Sequence, residues 1–231
     1  MPGLDWTVLL RDDHPQMLFR GLLATVTMTG VTWLLAMALG TALTMLRMAP
    51  SRLAQTFVAA WVEFHQNVPI LVHLFLWYFG IASLLPMDLQ RWINQHAGDF
   101  IFSTLALGFV MSAYVSECLR GGIRSIPKSQ VEAARALGLS YLQAFRWVIL
   151  PQAFRIALPT FISLTVLLFK NTSLAMTIGM LELTYVVREI ESRTFKTVEA
   201  YLFATVVYLA LSLLIMWVGS RIERRTAVPG R

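Results

Sequence analysis

From residue 21 to residue 46 the chain carries no ionisable side chain. Coiled as helix at 1.5 Å per residue, that stretch is about 39 Å long, more than the roughly 30 Å of hydrocarbon in a bilayer. In hydrocarbon a backbone must satisfy its own hydrogen bonds, which leaves helices and closed barrels as the only spanning forms. Further stretches without Asp, Glu, Lys or Arg run over Phe64–Met87, Phe100–Ser116, Ile156–Phe169 and Ala200–Ser220. Ile156–Phe169 is short, but it extends if Arg155 snorkels and Lys170 is tolerated. With 57% apolar and 14% charged residues, against about 25% charged in a soluble domain, a soluble cytosolic enzyme is excluded. Disorder needs the opposite balance. The expected fold is all-α and integral to the membrane, a single domain over 1–231. Five transmembrane helices are placed at about 20–46, 55–86, 100–119, 151–174 and 199–220, with a long loop at 123–150. The acidic flank of Asp5, Asp12 and Asp13 stands where a cleavable signal would be basic, so the first span reads as a retained anchor.

The net charge of +6 and pI of about 9.9 first suggest nucleic acid. The placement of the charges points elsewhere. With five spans, the loops at 47–55 and 118–155 and the C-terminal tail share one side. That side holds twelve Lys and Arg, Arg231 among them, against Glu132 and Glu223. The other side holds six basic residues against nine acids. The positive-inside rule then sets the loop and the C-terminus in the cytoplasm and the N-terminus outside. Nucleic-acid binding would need one clustered basic surface on a soluble fold. Cys118 stands alone, and no Cys/His cluster has metal-ligand spacing.

A connector between spans needs only a few residues, and longer ones are usually functional. The segment Ile123–Pro151 reads as helix. Ser129-x-x-Glu132 has the pattern of a capping box, and Ala133, Ala134, Arg135, Ala136 and Leu137 are strong helix formers. Gly138 is a natural stop, because glycine enters the left-handed conformation freely. Ser140-x-x-Gln143 restarts a second helix, and Pro151 fits the first turn of the next span. Two short helices with a sharp break are expected, with small Ala133 and Ala134 leaving a smooth surface for another protein.

Glu132-Ala133-Ala134, Gly138 and Val148-Ile149-Leu150-Pro151, at this spacing, resemble the EAA loop of permease subunits of bacterial ABC importers; the family usually has Ile where this chain has Val148. Tyr114–Ile123, Pro69–Phe75, Tyr78-Phe79-Gly80, Lys170–Leu174 and Ser192–Phe195 extend the match to permeases for polar amino acids of the histidine, glutamine or glutamate/aspartate type. Asn67-Val68-Pro69 and Trp77-Tyr78-Phe79 bring it nearest the glutamate/aspartate kind. The resemblance implies a type I importer fold, with Glu132, Ala133, Ala134, Gly138, Leu150 and Pro151 coupling to a separate ATP-binding subunit that holds ATP and Mg. It also implies an external amino-acid-binding protein, which Met180–Lys196 and the loop at Asp88–Asp99 would face; and because five helices are few to enclose a gated path, a second permease copy or paralogue is expected. The chain itself has no Gly-Lys pair, hence no phosphate-binding loop of the Gly-x-x-x-x-Gly-Lys-Ser/Thr type. No catalytic residue, metal or bound cofactor is expected of it, and its remaining partner is membrane lipid.

Charges at membrane depth are costly. Glu63 reads as interfacial. Glu117 either pairs with Arg120 three residues on, on one helix face, or lines a path. Lys170, Asn171, Thr172 and Ser173 form a polar run tolerated only against protein or a water-filled cavity, or else mark a snorkelling Lys followed by a turn. Gln66, Asn67 and Pro69 make a similar break on the second span. A substrate cavity bounded by these two breaks is the preferred site, since transporters place substrate at such interruptions. His65 and His73, eight apart on roughly one face, lack a third metal ligand nearby. Met180–Lys196 is amphipathic and reads as an interfacial helix. The rival class is an ion-coupled secondary transporter using Glu117 or Lys170; such carriers usually show internal repeats, and none is evident.

Overall fold

A computed structural model describes residues 4–226, all helix and connecting turns. The helices are α1 (His14–Met48), α2 (Arg52–Asn67), α3 (Ile70–Leu84), α4 (Met87–Gln95), α5 (Gly98–Arg124), α6 (Lys128–Ala136), α7 (Tyr141–Ile178), α8 (Leu183–Thr194) and α9 (Thr197–Thr226). Four of them, α1, α5, α7 and α9, are long and apolar enough to cross a membrane, and a bent α2–α3 pair makes up to five. Arg231 of the charge tally lies outside the described residues.

The bundle is built around α5. Its Ala106, Leu107, Met111, Val115 and Leu119 are buried against Ala36 of α1, Leu74 of α3, and Ala157, Phe161, Leu164 and Leu168 of α7. Small residues let these helices approach. A Cβ on Gly122 would stand 2.7 Å from the Ala153 carbonyl oxygen, so α5 and α7 meet there only through a glycine. α9 is peripheral and leaves Leu209, Leu213 and Trp217 exposed, as suits a helix whose outer solvent is hydrocarbon.

The second span departs from one continuous helix over 55–86. α2 and α3 meet at a bend of 106°. Pro69 forces it: the ring disfavours helical geometry in the residue before it, and Val68 is extended at φ −91° and ψ 133°. Across the bend the rings of His65 and His73 stack at 5.1 Å, and both are buried.

α7 also departs from expectation. The second helix of the loop runs on from Tyr141 into the span through a wide turn at Phe145–Ile149. Pro151 has no N–H to give and its ring crowds the carbonyl one turn back, and the wider turn accommodates it without a break. On the opposite end of the bundle, Met180–Lys196 is not an interfacial helix lying in lipid. α8 buries Leu183, Val186, Val187 and Ile190 with Val8, Leu9, Leu18, Ala200 and Ala204. The apolar stripe is real, but its cover is protein. The segment 88–99 forms mostly helix α4, which has no buried residue.

Candidate functional site

The loop at 125–149 is closed by local chemistry at each corner. At the end of α6 the Gly138 N–H donates to the Arg135 carbonyl at 2.9 Å and the Leu139 N–H to the Ala134 carbonyl at 3.2 Å. Gly138 sits at φ +80°. This is the paired closure that a left-handed glycine gives a helix end. Two residues on, the Gln143 N–H donates to Ser140 Oγ at 3.3 Å and the Ser140 N–H to Gln143 Oε1 at 2.8 Å, the reciprocal box expected there. The box expected at Ser129 and Glu132 does not form. α6 begins at Lys128, with Pro127 extended in the cap position and its carbonyl accepting from the Gln130 N–H at 3.0 Å. Proline's fixed φ starts the helix two residues early, and Ser129 is already inside it.

The base of the loop is locked to the bundle. Ile126, Phe145, Ile149 and Ala153 are buried together, with Met45 and Met48 of α1 and Ile123 of α5 packed on them. Tyr141 Oη donates to the Met48 carbonyl at 2.8 Å. The far face is bare: Leu137 is 83% exposed, Leu142 64% and Trp147 66%. Glu132 and Ala133 face outward, but Ala134 is 3% exposed and packs inward, so only half of the expected small-residue surface is presented. Leu150 is half-buried and Pro151 exposed. An element packed on three helices at its base and carrying exposed apolar side chains can receive a protein and pass its movement into the bundle.

The membrane-depth polar residues separate into three places. Glu117 is held between α1 and its own helix, by Arg47 Nη1 at 2.7 Å and by Arg120 three residues along. Gln66 is half-buried, and Asn67 Nδ2 donates back to the Glu63 carbonyl at 2.7 Å; Glu63 itself is exposed. Lys170 is exposed; Thr172 Oγ1 and Ser173 Oγ donate to the Phe169 and Lys170 carbonyls at 2.6 and 2.7 Å. Asn171 Nδ2 is buried with no hydrogen-bond partner among the described residues. Ile70, just after the first break, and Leu174, beside the second, pack on one apolar cluster. No hydrogen bond joins the two breaks among the described residues.

Sequence reasoning missed the most heavily bonded carboxylate. Glu182, in the turn before α8, is fully buried. Its oxygens accept from the Thr184 and Tyr185 N–H groups at 2.9 and 2.8 Å and from Tyr208 Oη at 2.9 Å. Thr25 of α1 closes the group, taking the Leu183 N–H at 3.1 Å. Burial pushes the Glu182 carboxyl above its ordinary range, against the hydrogen bonds that favour the charged form. Glu is not among the residues that signal an N-cap, and Tyr208 and Thr25 are far away in sequence. The Arg47 partner of Glu117 has no sequence signal for the same reason.

Several membrane-crossing helices around a tightly packed central one, with a capped helical loop held out at one end, define a membrane transport component. The comparisons agree: the chain belongs to the family of binding-protein-dependent transport system inner membrane components, whose model matches residues 34–228. It is 31% identical over 217 residues to the glutamate/aspartate import permease protein GltJ of Escherichia coli K12, covering 92% of this chain and 88% of that protein. It is 34% identical over 176 residues to the probable glutamine ABC transporter permease protein GlnM of Bacillus subtilis 168, covering 76% and 77%. Among solved structures, an amino acid ABC transporter with histidines superposes at a TM-score of 0.82 with 26% identity, over 96% of this chain and 99% of that one. The chain is thus an inner-membrane permease subunit of a binding-protein-dependent amino acid ABC importer, with the type I importer fold.

Proposed function

We propose that this subunit forms the translocation path for a polar amino acid, glutamate or aspartate in the first place, and couples it to a separate ATPase through the loop at 125–149. The observation that carries the proposal is the loop itself: a base buried with α1, α5 and α7, and a tip presenting Leu137, Leu142 and Trp147. Glu132, Ala133, Gly138, Leu150 and Pro151 belong to that coupling element, with Ala134 as its inward-packed member. The charge bias sets the loop and the C-terminal end in the cytoplasm and the N-terminal end outside. The ATPase, with its ATP and Mg, docks on the loop. A second copy or a related permease completes the path, because up to five spans are few to enclose one. A loaded external binding protein docks on the outer side, where α4 is exposed. Closure of the ATPases draws the two loops together and opens the path outward; hydrolysis returns it. Gln66 and Asn67 at one break and Lys170, Asn171, Thr172 and Ser173 at the other border the path, and Glu117 stands toward its inner end.

The test is ATP-driven uptake in vesicles reconstituted with the permease, its co-purifying ATPase and binding protein, offered labelled glutamate, aspartate and glutamine in turn. Uptake of the acidic pair that needs ATP supports the reading. Uptake driven by a membrane potential without ATP would replace it with an ion-coupled carrier.

A further inference from the structure

Beside the loop, a cleft of about 760 Å³ opens where the ends of α1, α2 and α5 meet. Four guanidiniums line it: Arg47 from the last turn of α1, Arg52 at the start of α2, and Arg120 and Arg124 from the last turns of α5. One carboxylate, Glu117, is shared by Arg47 and Arg120. Arg52 and Arg124 are exposed, and no carboxylate lies within ion-pair distance of either among the described residues. The cleft therefore keeps a large excess of positive charge. Met48 and Ile123 supply apolar wall.

We infer that this cleft binds the phosphate headgroup of an anionic lipid in the cytoplasmic leaflet. Guanidiniums suit phosphate oxygens through paired N–H donors, and basic pockets between membrane helices at the cytoplasmic face are where such headgroups lodge. Helix ends set the depth: the four arginines lie in the end turns of α1, α2 and α5, where a spanning bundle meets headgroups and not the hydrocarbon midplane. An acyl-bearing ligand also explains why the basic cleft has apolar wall beside it. The inference rests on the cytoplasmic orientation proposed above but not on the transported amino acid or on coupling, so its test can fail while both of those stand.

The complex purified with its ATPase is titrated with phosphatidylglycerol and, separately, phosphatidylethanolamine of the same acyl chains, and bound lipid is counted by native mass spectrometry. Inorganic phosphate and glutamate are the competitors. Phosphatidylglycerol is expected to bind more tightly. Arg52→Gln with Arg124→Gln, which leaves the Glu117 pairs untouched, is expected to weaken it about thirtyfold, from about fivefold for each cation near the surface. Should that variant not fold, Thr56→Asp puts a carboxylate into the same cleft with all four arginines in place, and it is expected to weaken phosphatidylglycerol as well. Equal affinity for the two lipids would overturn the inference, as would unchanged phosphatidylglycerol binding in the variants. Inorganic phosphate or glutamate binding as tightly as the lipid would overturn it too, by assigning the cleft to a free anion.

Discussion

The loop at 125–149 and the outer segment at 179–196 are built alike, each a tight turn leading into a short amphipathic helix, yet they end in opposite situations. Leu137, Leu142 and Trp147 of the first stand bare, while Leu183, Val186, Val187 and Ile190 of the second are buried under α1 and α9. The contrast lies in what satisfies their ends. The loop at 125–149 is self-sufficient, with Gly138 and the Ser140–Gln143 box serving its free backbone groups from a few residues away. The outer segment depends on Glu182, which bonds the first turn of α8 and also Thr25 of α1 and Tyr208 of α9. Local closure leaves a face free to bind, whereas long-range closure spends that face on the fold.

If so, the outer segment should be the more fragile. Glu182→Ala strands two backbone N–H groups in a buried site, each costing about 1–3 kcal/mol, and leaves the Tyr208 hydroxyl with Thr184 Oγ1 alone. The expected outcome is the largest loss of thermal stability in detergent, or failure to accumulate; Glu182→Gln, which keeps an acceptor, should recover much of it. A Glu182→Ala variant that melts like the parent would erase the contrast.

Gly138→Val should cost less. Nothing lies within 4 Å of a Cβ at Gly138, so the penalty is torsional, from φ +80°, about 1–2 kcal/mol. A small drop in melting temperature is expected, together with a loss of substrate-stimulated ATP hydrolysis out of proportion to it. Ser140→Ala removes one cap and should cost about 1 kcal/mol, read as faster amide exchange confined to 141–146. If the exchange change spread into α8, the two ends would not be independent.

The smallest effect is on pH. The folded-state pKa of Glu182 is raised by burial, so the folded protein holds that proton more tightly than the unfolded chain. Its contribution is therefore fully present below the unfolded pKa and is lost as pH rises through the raised folded one. Melting temperature followed upward from about pH 4 should fall more in the parent than in Glu182→Gln.

The same division explains what could be read from the sequence. Four helices apolar and long enough to cross a membrane, the break at Pro69, the stop at Gly138 and the box at Ser140 all rest on neighbours along the chain, and each is found; the box expected at Ser129, equally local, is displaced by Pro127. The 106° size of the α2–α3 bend, the wide turn ahead of Pro151 and the inward turn of Ala134 depend on how helices pack. Met180–Lys196 was legible as amphipathic, but whether lipid or protein covers its stripe is decided by residues far off, Val8 and Ala204 among them. Arg47 finding Glu117 is of the same kind.

The most direct measurement compares the two regions in one experiment: co-purification of the ATPase with Leu137→Asp/Leu142→Asp on the inner loop and with Leu181→Asp, 58% exposed, on the outer segment. The ATPase should be lost with the first and retained with the second, while both permeases remain folded. Retention of the ATPase and its transport-coupled activity by the inner-loop variant would contradict the assignment of that face as the docking site.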